Sequence, residues 1–259
     1  MSKARYVTGL RAVEQLMGSR STDIRKLYAE YQSANPRVES LIAQARAAGI
    51  EIQAANRARL SQISGEGRHQ GIVAEVTRHT IMDEGGLRTM VEQRLTDDEQ
   101  DPLLLLLLDG IQDPHNLGAC LRTADAAGVD AVVVPRHGAA GLGPTVSKVA
   151  AGAAESLRFV TVSNMQRVMA WLQEYGVHVV GTSDQADESL FATNLSGHVA
   201  LMMGHEEKGL RPQVIDRCDY VVSLPMAGEV SSLNVSVATG ICLYEIVRQR
   251  NPKRRVKRA

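Results

Sequence analysis

From residue 102 onward, short runs of apolar residues alternate with longer stretches in which apolar residues recur at helical spacing. The apolar runs predict buried strands, and the longer stretches predict helices. Strands are predicted over residues 103–108, 131–134, 159–162, 177–180, 199–203 and 220–224. Helices are predicted over residues 117–127, 146–154, 165–175 and 233–248. Strands that are apolar throughout, with helices between them, indicate an α/β fold with a mostly parallel sheet covered on both faces.

A smaller α/β pattern occupies residues 1–78. It predicts helices over residues 9–17 and 36–48, and strands over residues 24–28, 51–53 and 71–77. Pro36 suits the first turn of its helix, and Gly49, Gly128 and Gly176 suit helix ends. Residues 79–101 are rich in Asp, Glu and Gln and predict a linker that carries at most a short helix. The predicted organisation is therefore a domain over 1–78, a linker over 79–101, a domain over 102–250 and a basic tail over 251–259.

Composition narrows the class of protein. With 44% hydrophobic residues among 259, the chain can build a proper core. Its net charge of zero argues against broad electrostatic capture of nucleic acid, although the tail holds five cations. That tail is either a solvated terminus or an RNA-binding segment. The three cysteines, Cys120, Cys218 and Cys242, lie far apart and indicate neither a zinc site nor a disulfide framework.

The start of the chain has no apolar core of signal-peptide length, and the longest apolar run, 103–108, is too short to cross a bilayer. We therefore expect a cytoplasmic protein with no membrane partner. No glycine-rich phosphate loop follows a predicted strand, because Gly138, Gly141 and Gly143 have the wrong spacing. A dinucleotide or nucleoside triphosphate cofactor thus has no support.

Ligands of such sheets bind beyond the carboxyl ends of the strands, so the loops after Leu108, Met203 and Leu224 are the places to look for chemistry. In the first loop, Asn116 is able to cap the following helix and Arg122 to project from it. The same residues are equally typical of a plain helix start with a surface arginine.

The second and third loops also allow two interpretations each. Gly204 permits close approach of backbone to a ligand, and Glu206 lies just past the strand end, either for acid/base chemistry or as part of a charged turn. In the third loop, Ser232 or Asn234 is able to cap a helix while the loop backbone remains available to a ligand. A simple helix start would look the same.

Taken together and in this order, the three loops resemble the SpoU family of SPOUT methyltransferases. The family's three motifs match residues 116–124, 203–210 and 224–238. Further matches extend the resemblance over nearly the whole chain, at residues 69–72, 118–122, 124–128, 152–155 and 237–243. It is closest to members that methylate guanosine in bacterial 23S rRNA. The sequence departs from the pattern at His205 and Glu207, where small residues are more common, and in its basic tail.

The resemblance implies a trefoil-knotted α/β methyltransferase domain that dimerises and binds S-adenosyl-L-methionine. It also implies that a small α/β domain, similar to ribosomal protein L30, precedes it and binds RNA. The expected reaction is 2'-O-methylation of a guanosine ribose in 23S rRNA or its ribosomal precursor, with no metal. Two alternatives stay open: the same reaction on tRNA, and a non-catalytic RNA-binding factor in ribosome assembly.

The resemblance also assigns site residues. The catalytic set comprises Arg122, Asn116, Glu206, Ser232 and Asn234. The cofactor-binding set comprises Met203, Gly204, Leu224, Met226 and Leu233. Because a guanidinium is scarcely ever deprotonated, we expect Arg122 to bind the adjacent phosphate and stabilise the developing alkoxide. Glu206 would orient Arg122 or a bound nucleotide, and the amide and hydroxyl side chains would bond ribose, cofactor or each other.

Overall fold

A computed structural model describes most of the chain. The described residues are 5–31, 33, 35–65, 69–76, 81–96, 101–206, 208–230 and 232–250. The predicted basic tail, residues 251–259, and Glu207 lie outside them. The chain divides into two compact units, one formed by residues 1–81 with 147–156 and the other by residues 82–146 with 157–259.

The first unit is a four-stranded sheet with helices. Its elements in chain order are β1 (Arg5–Thr8), α1 (Leu10–Arg20), a 3-10 turn (Ser21–Asp23), β2 (Ile24–Glu30), α2 (Pro36–Ala47), β3 (Glu51–Ala55), α3 (Arg57–Ser64) and β4 (Ile72–Val76). The strand order is β1-β4-β2-β3, with only the β2–β3 pair parallel. Asn35 caps α2 through the amide of Arg37, and Gly49 follows its end at φ 71°. Leu27, Leu41 and Ile72 are fully buried in the core of this unit.

The second unit is built on a seven-stranded parallel sheet. Its strands are β5 (Leu104–Leu108), β6 (Ala131–Pro135), β7 (Arg158–Val162), β8 (His178–Thr182), β9 (Glu188–Ser189), β10 (Val199–Met203) and β11 (Tyr220–Ser223). They are arranged in the order β7-β6-β5-β10-β8-β11-β9. The central strands β5 and β10 are buried at every residue, which explains their unbroken apolar sequence. The prediction of a parallel α/β sheet is confirmed.

The remaining described helices begin at residue 84, before β5, and continue to residue 250. They are α4 (Glu84–Leu95), α5 (Pro114–Ala127), α6 (Pro144–Ala150), α7 (Ala153–Ser156), α8 (Met165–Glu174), α9 (Pro212–Ile215) and α10 (Val235–Arg250). Among the described helices, none is long and apolar enough to cross a membrane.

One helix predicted from the sequence is divided into two helices in the structure. The pattern over residues 146–154 predicted a single helix, but α6 ends at Ala150 and α7 begins at Ala153. Ala151 and Gly152 between them have φ values of 53° and 103°, which a right-handed helix does not allow. The short α7 belongs to the first unit, where Gln15 of α1 donates to the Ser156 hydroxyl at 2.9 Å.

The predicted linker differs from what the structure shows. The boundary between the units falls at residues 81 and 82, and α4 is a helix of 12 residues in the second unit. Asp83 caps it by accepting from the amide of Gly86. Leu87, Met90 and Val91 recur at helical spacing and are buried in the second unit's core. The spacing of these apolar residues indicates a helix that packs on a core. The linker was predicted instead because the segment is rich in Asp, Glu and Gln.

Near the amino ends of β5 and β10, a histidine side chain accepts a hydrogen bond from the backbone. The Nδ1 atom of His198 accepts a hydrogen bond from the Leu103 amide at 2.9 Å. Burial lowers the pKa of His198, and the nearby positive charges of Arg250 and Arg94 lower it further. Protonation would remove the acceptor that Leu103 uses.

This histidine predicts a loss of stability in mild acid. Because the folded-state pKa lies below the unfolded value of 6.5, the unfolded chain binds the proton more readily as pH falls through that value. The free energy of unfolding should therefore decrease from pH 7.5 to 5.5. Urea unfolding across this range measures it, with His198→Gln as the comparison, since glutamine has no proton to gain. Equal pH slopes for the two proteins would contradict the prediction.

Candidate active site

Two of the three loops singled out in the sequence leave the sheet side by side. Strands β5 and β10 are parallel neighbours in which Leu108 pairs with Met203. The register continues one step further, because the Asp109 amide donates to the Met203 carbonyl at 2.9 Å. The loops beginning at Asp109 and at Gly204 therefore share one edge of the sheet, where ligands of such folds bind.

A chain of polar side chains joins all three loops. Asn116, in the first turn of α5, donates through Nδ2 to Glu206 Oε1 at 3.0 Å. The Nδ2 of Asn234 donates to Asn116 Oδ1, also at 3.0 Å. Asn234 Oδ1 in turn accepts from the Ser236 amide at 2.9 Å and from its hydroxyl at 2.6 Å. Three of these four residues, Asn116, Glu206 and Asn234, belong to the catalytic set that the family resemblance implies, and the structure brings those three together.

Two capping predictions have different outcomes. Asn116 was expected to cap α5, and this was wrong: Asp113 is the cap and accepts from the His115 amide at 2.9 Å. Pro114 occupies the first helical position, so the helix begins two residues earlier than the asparagine. Asn116 is thereby released for the polar chain. Asn234 does cap α10, through its bond to the Ser236 amide.

Helices α5 and α10 pack closely and hold the polar chain in place. The Cys120 thiol lies 3.6 Å from the Thr239 hydroxyl, which itself donates to the Val235 carbonyl at 2.7 Å. Burial raises the pKa of the Cys120 thiol to about 11 and that of Cys242 to about 12. These thiols stay protonated near neutral pH, so they serve packing and are unsuited to act as nucleophiles.

The loop after β10 is tightly closed. His205 and Gly209 exchange two backbone hydrogen bonds, at 3.0 and 2.9 Å. Gly204 lies directly against the backbone of Gly209 and Leu210, so that a β-carbon at residue 204 would overlap both. Gly204 was predicted to allow close approach of a ligand. The close approach that the structure shows is to the loop itself, and it fixes the position of Glu206.

The loop after β11 is open by comparison. Residues 224–230 form neither helix nor strand, and Leu224, Met226 and Leu233 are half-buried. Among the residues that the structure describes, the backbone groups of Met226 and Gly228 have no hydrogen-bond partner. Met203, at the end of β10, is buried. Apolar side chains beside free amide and carbonyl groups suit the faces and edge of a nucleoside base.

Arg122 and Ser232 stand apart from the polar chain. Both side chains are exposed, and among the described residues neither is hydrogen-bonded to that chain. Glu206 therefore orients Asn116 in this structure, and it has no bond to Arg122. An exposed guanidinium without an internal carboxylate is available to an external anion.

An ion pair at the same edge of the sheet was not predicted from the sequence. Asp109 is 8% exposed and accepts from Arg211 Nε and Nη2 at distances of 3.0 to 3.2 Å. Its position directly after a buried strand was the available signal. Ser236 was likewise left out of the site set, although it lies two residues from Asn234 in the same motif. Among the described residues, no group of three or more histidine, cysteine or acidic side chains is placed to hold a metal ion.

A parallel sheet that gathers polar side chains from three loops at its carboxyl edge is the architecture of an α/β enzyme. Comparison with known proteins gives the family. The chain belongs to the SpoU rRNA Methylase family, whose profile matches residues 103–244. A second profile, for RNA 2'-O ribose methyltransferase substrate binding, matches residues 6–82.

Two relatives and one solved structure are similar to this chain over nearly its full length. A protein of Pseudomonas aeruginosa named 23S rRNA (guanosine-2'-O-)-methyltransferase RlmB is 47% identical, covering 97% of this chain and 99% of its own. The protein of the same name from Coxiella burnetii is 44% identical, covering 96% and 98%. The crystal structure of the SpoU methyltransferase AviRb from Streptomyces viridochromogenes, in complex with the cofactor AdoMet, is 27% identical with a TM-score of 0.75, covering 97% and 92%.

Proposed function

We propose that this chain transfers the methyl group of S-adenosyl-L-methionine to the ribose 2'-hydroxyl of a guanosine in 23S rRNA or its ribosomal precursor. The observation that carries the proposal is 47% identity, across 97% of the chain, to a protein named for this reaction. The polar chain at the sheet edge gives the reaction a physical setting. A cytoplasmic location follows from the substrate.

The extent of similarity favours ribosomal over transfer RNA. A structure described as the A. aeolicus TrmH/SpoU tRNA modifying enzyme matches only 63% of this chain, with a TM-score of 0.54. The relatives named for 23S rRNA also match the residues of the first unit. That unit carries the substrate-binding profile, and we propose that it recognises the RNA.

The cofactor supplies an electrophilic methyl group on a positively charged sulfur. We assign its adenosine to the open loop after β11 and the end of β10. There Met203, Leu224, Met226 and Leu233 accompany backbone groups that have no partner among the described residues. Half-buried apolar side chains would cover the faces of the base, and the loop amides and carbonyls would read its edge. Gly204 supports this pocket indirectly, through the closed loop that it permits.

Arg122 is the residue we assign to the reacting ribose. A 2'-hydroxyl is a weak nucleophile that loses its proton on attack, so the developing negative charge needs a fixed partner. Arg122 is exposed on α5 and has no carboxylate partner among the described residues, and its guanidinium would bind the substrate phosphate and the developing alkoxide. The substrate phosphate would then accept the proton, since a guanidinium is scarcely ever deprotonated.

The polar chain has a positioning role in this proposal. Glu206 holds Asn116, and Asn116 holds Asn234, at 3.0 Å in each case. Each amide keeps one further N–H for ribose or cofactor hydroxyls, and Asn116 Oδ1 keeps one lone pair. Asn234 Oδ1 already accepts two bonds from Ser236. The exposed hydroxyl of Ser232 would add another such bond from the third loop. Positioning of reactants in this way supplies a large share of the rate in transfer reactions.

We also propose that the chain acts as a homodimer. Helix α10 exposes an apolar stripe formed by Val237, Ile241 and Tyr244, whose side chains are 50%, 36% and 52% exposed. Their spacing of four and three residues places them on one helix face. A second copy of the chain is the occupant that the family resemblance implies.

A charge within the stripe should separate the dimer. Ile241→Asp places a carboxylate where a dry apolar contact is expected, so we expect a monomer by size-exclusion chromatography with light scattering. The matched control is Phe191→Asp, because Phe191 is a 52% exposed apolar residue outside the stripe. An unchanged dimer in the Ile241 variant would place the interface elsewhere.

The proposed reaction is tested directly with labelled S-adenosyl-L-methionine. The purified protein is incubated with separate pools of unmodified 23S rRNA and tRNA, and any modified ribose is mapped by its resistance to alkaline cleavage. Label at one guanosine of 23S rRNA is the expected result. Label confined to tRNA would overturn the target, and no label in either RNA despite cofactor binding would point to a non-catalytic assembly factor.

A further inference from the structure

A cleft of about 540 Å³ lies at the carboxyl ends of β5, β6, β7 and β10, within the second unit. It is separate from the open loop after β11 to which the cofactor is assigned. Its polar lining includes His137, Asn164, Gln166, His205, Lys208 and Arg211. The volume is in the range of sites for small molecules and nucleotides, about 300–1,000 Å³.

The described lining residues of this cleft carry a net positive charge, because Lys208 and Arg211 outnumber Asp109. Asp109 is the one carboxylate among its described lining residues, and Arg211 neutralises it through Nε and Nη2. The Nη1 group of Arg211 remains without a partner in the described chain. Lys208 has no carboxylate within ion-pair distance among the described residues. A concave surface with uncompensated Lys and Arg groups attracts anions.

The cleft shares a wall with the candidate active site. The loop of residues 205–209 contributes His205 and Lys208 to the cleft, and contributes Glu206 to the polar chain. The loop after β5 lies next to this loop, because a β-carbon at Gly110 would be 3.9 Å from the His205 side chain. An RNA strand whose ribose lies at the polar chain would therefore extend its next nucleotides into this cleft.

We propose that the cleft binds the phosphodiester backbone of the RNA strand beside the target nucleotide, with Lys208 and the outer edge of Arg211 as the phosphate contacts. The side-chain amides of Asn164 and Gln166 add uncharged hydrogen-bond groups along the path. The inference deepens the proposed function and rests on it for the identity of the RNA.

The test measures RNA affinity as a function of salt. Each lysine that neutralises a phosphate releases a counterion from the RNA. The plot of log K against log salt slopes downward, and loss of one such lysine makes this slope shallower by about 0.7 to 1. For Lys208→Gln we expect this smaller slope and about tenfold weaker binding of a 23S rRNA transcript at low salt. Affinity for S-adenosyl-L-methionine should not change. Lys208→Glu should weaken RNA binding further.

The control is Arg158→Gln, which removes one exposed cation at the opposite, amino end of β7. It should bind RNA like the wild-type chain. Wild-type affinity and slope in the Lys208 variant would overturn the proposal, as would a loss of cofactor affinity, which would indicate a damaged loop. Failure of the proposed function would be seen separately, because the wild-type chain would then transfer no methyl group to 23S rRNA. In that case the salt dependence would be measured with the RNA that the chain does bind.

Discussion

Replacing Arg122 with alanine is expected to lower the rate of methyl transfer by about 10² to 10³, the effect of removing one preorganised donor from a developing oxyanion. Cofactor affinity should be nearly unchanged, because Arg122 is exposed on α5 and is assigned to the RNA. Single-turnover transfer of label to 23S rRNA, measured at saturating RNA, isolates the chemical step. Cofactor binding is measured on the same protein by calorimetry.

Two further variants make this result specific. Arg122→Lys keeps the positive charge and loses the planar fork, so it should recover part of the rate. Arg158→Ala removes an exposed arginine at the opposite end of the sheet and should react like the wild-type chain. Substantial turnover by the Arg122→Ala protein would show that the reacting ribose is stabilised by another group.

The second large effect is expected from Gly204→Ala. The added β-carbon would overlap the backbone of Gly209 and Leu210, and neither can yield by rotating a side chain. The loop would have to open, breaking the two bonds between His205 and Gly209 and displacing Glu206 from Asn116. We expect the free energy of unfolding to fall by about 1 to 3 kcal/mol, as for other overpacked sites, together with weak cofactor binding.

Urea unfolding and calorimetric cofactor titration measure the two parts of this prediction. Gly141→Ala is the matched control, because a β-carbon at residue 141 meets nothing within 4 Å. A Gly204→Ala protein with wild-type stability and cofactor affinity would mean that the loop tolerates an open form.

The sequence predicted six strands of the second unit because each is an apolar run of the right length, and β10 matches its predicted range, 199–203. It missed β1, α3, β9 and α9, which are short or partly exposed and so lack a strong apolar pattern. The break between α6 and α7 depends on positive φ values, which periodicity does not report. The trefoil knot rests on the family resemblance and stays a prediction.

The candidate site was predictable in part. Motif resemblance selected Asn116, Glu206 and Asn234, and the structure joins them by hydrogen bonds. The hydrogen-bond partner of each residue was not predictable, because it depends on how the three loops are placed at the edge of the sheet. The cleft beside Lys208 had no sequence signal, since its lining comes from four strand ends. The roles of Arg122, Ser232 and the cofactor set stay predictions.

The polar chain also has a consequence for the order of events during protein synthesis. Its bonds connect residues 90 and 118 positions apart, and the last partner, Ser236, belongs to α10, the last helix among the described residues. Contacts this distant form late, because closure of long loops must come first. A nascent chain therefore lacks the complete site until α10 has left the ribosome and packed on α5.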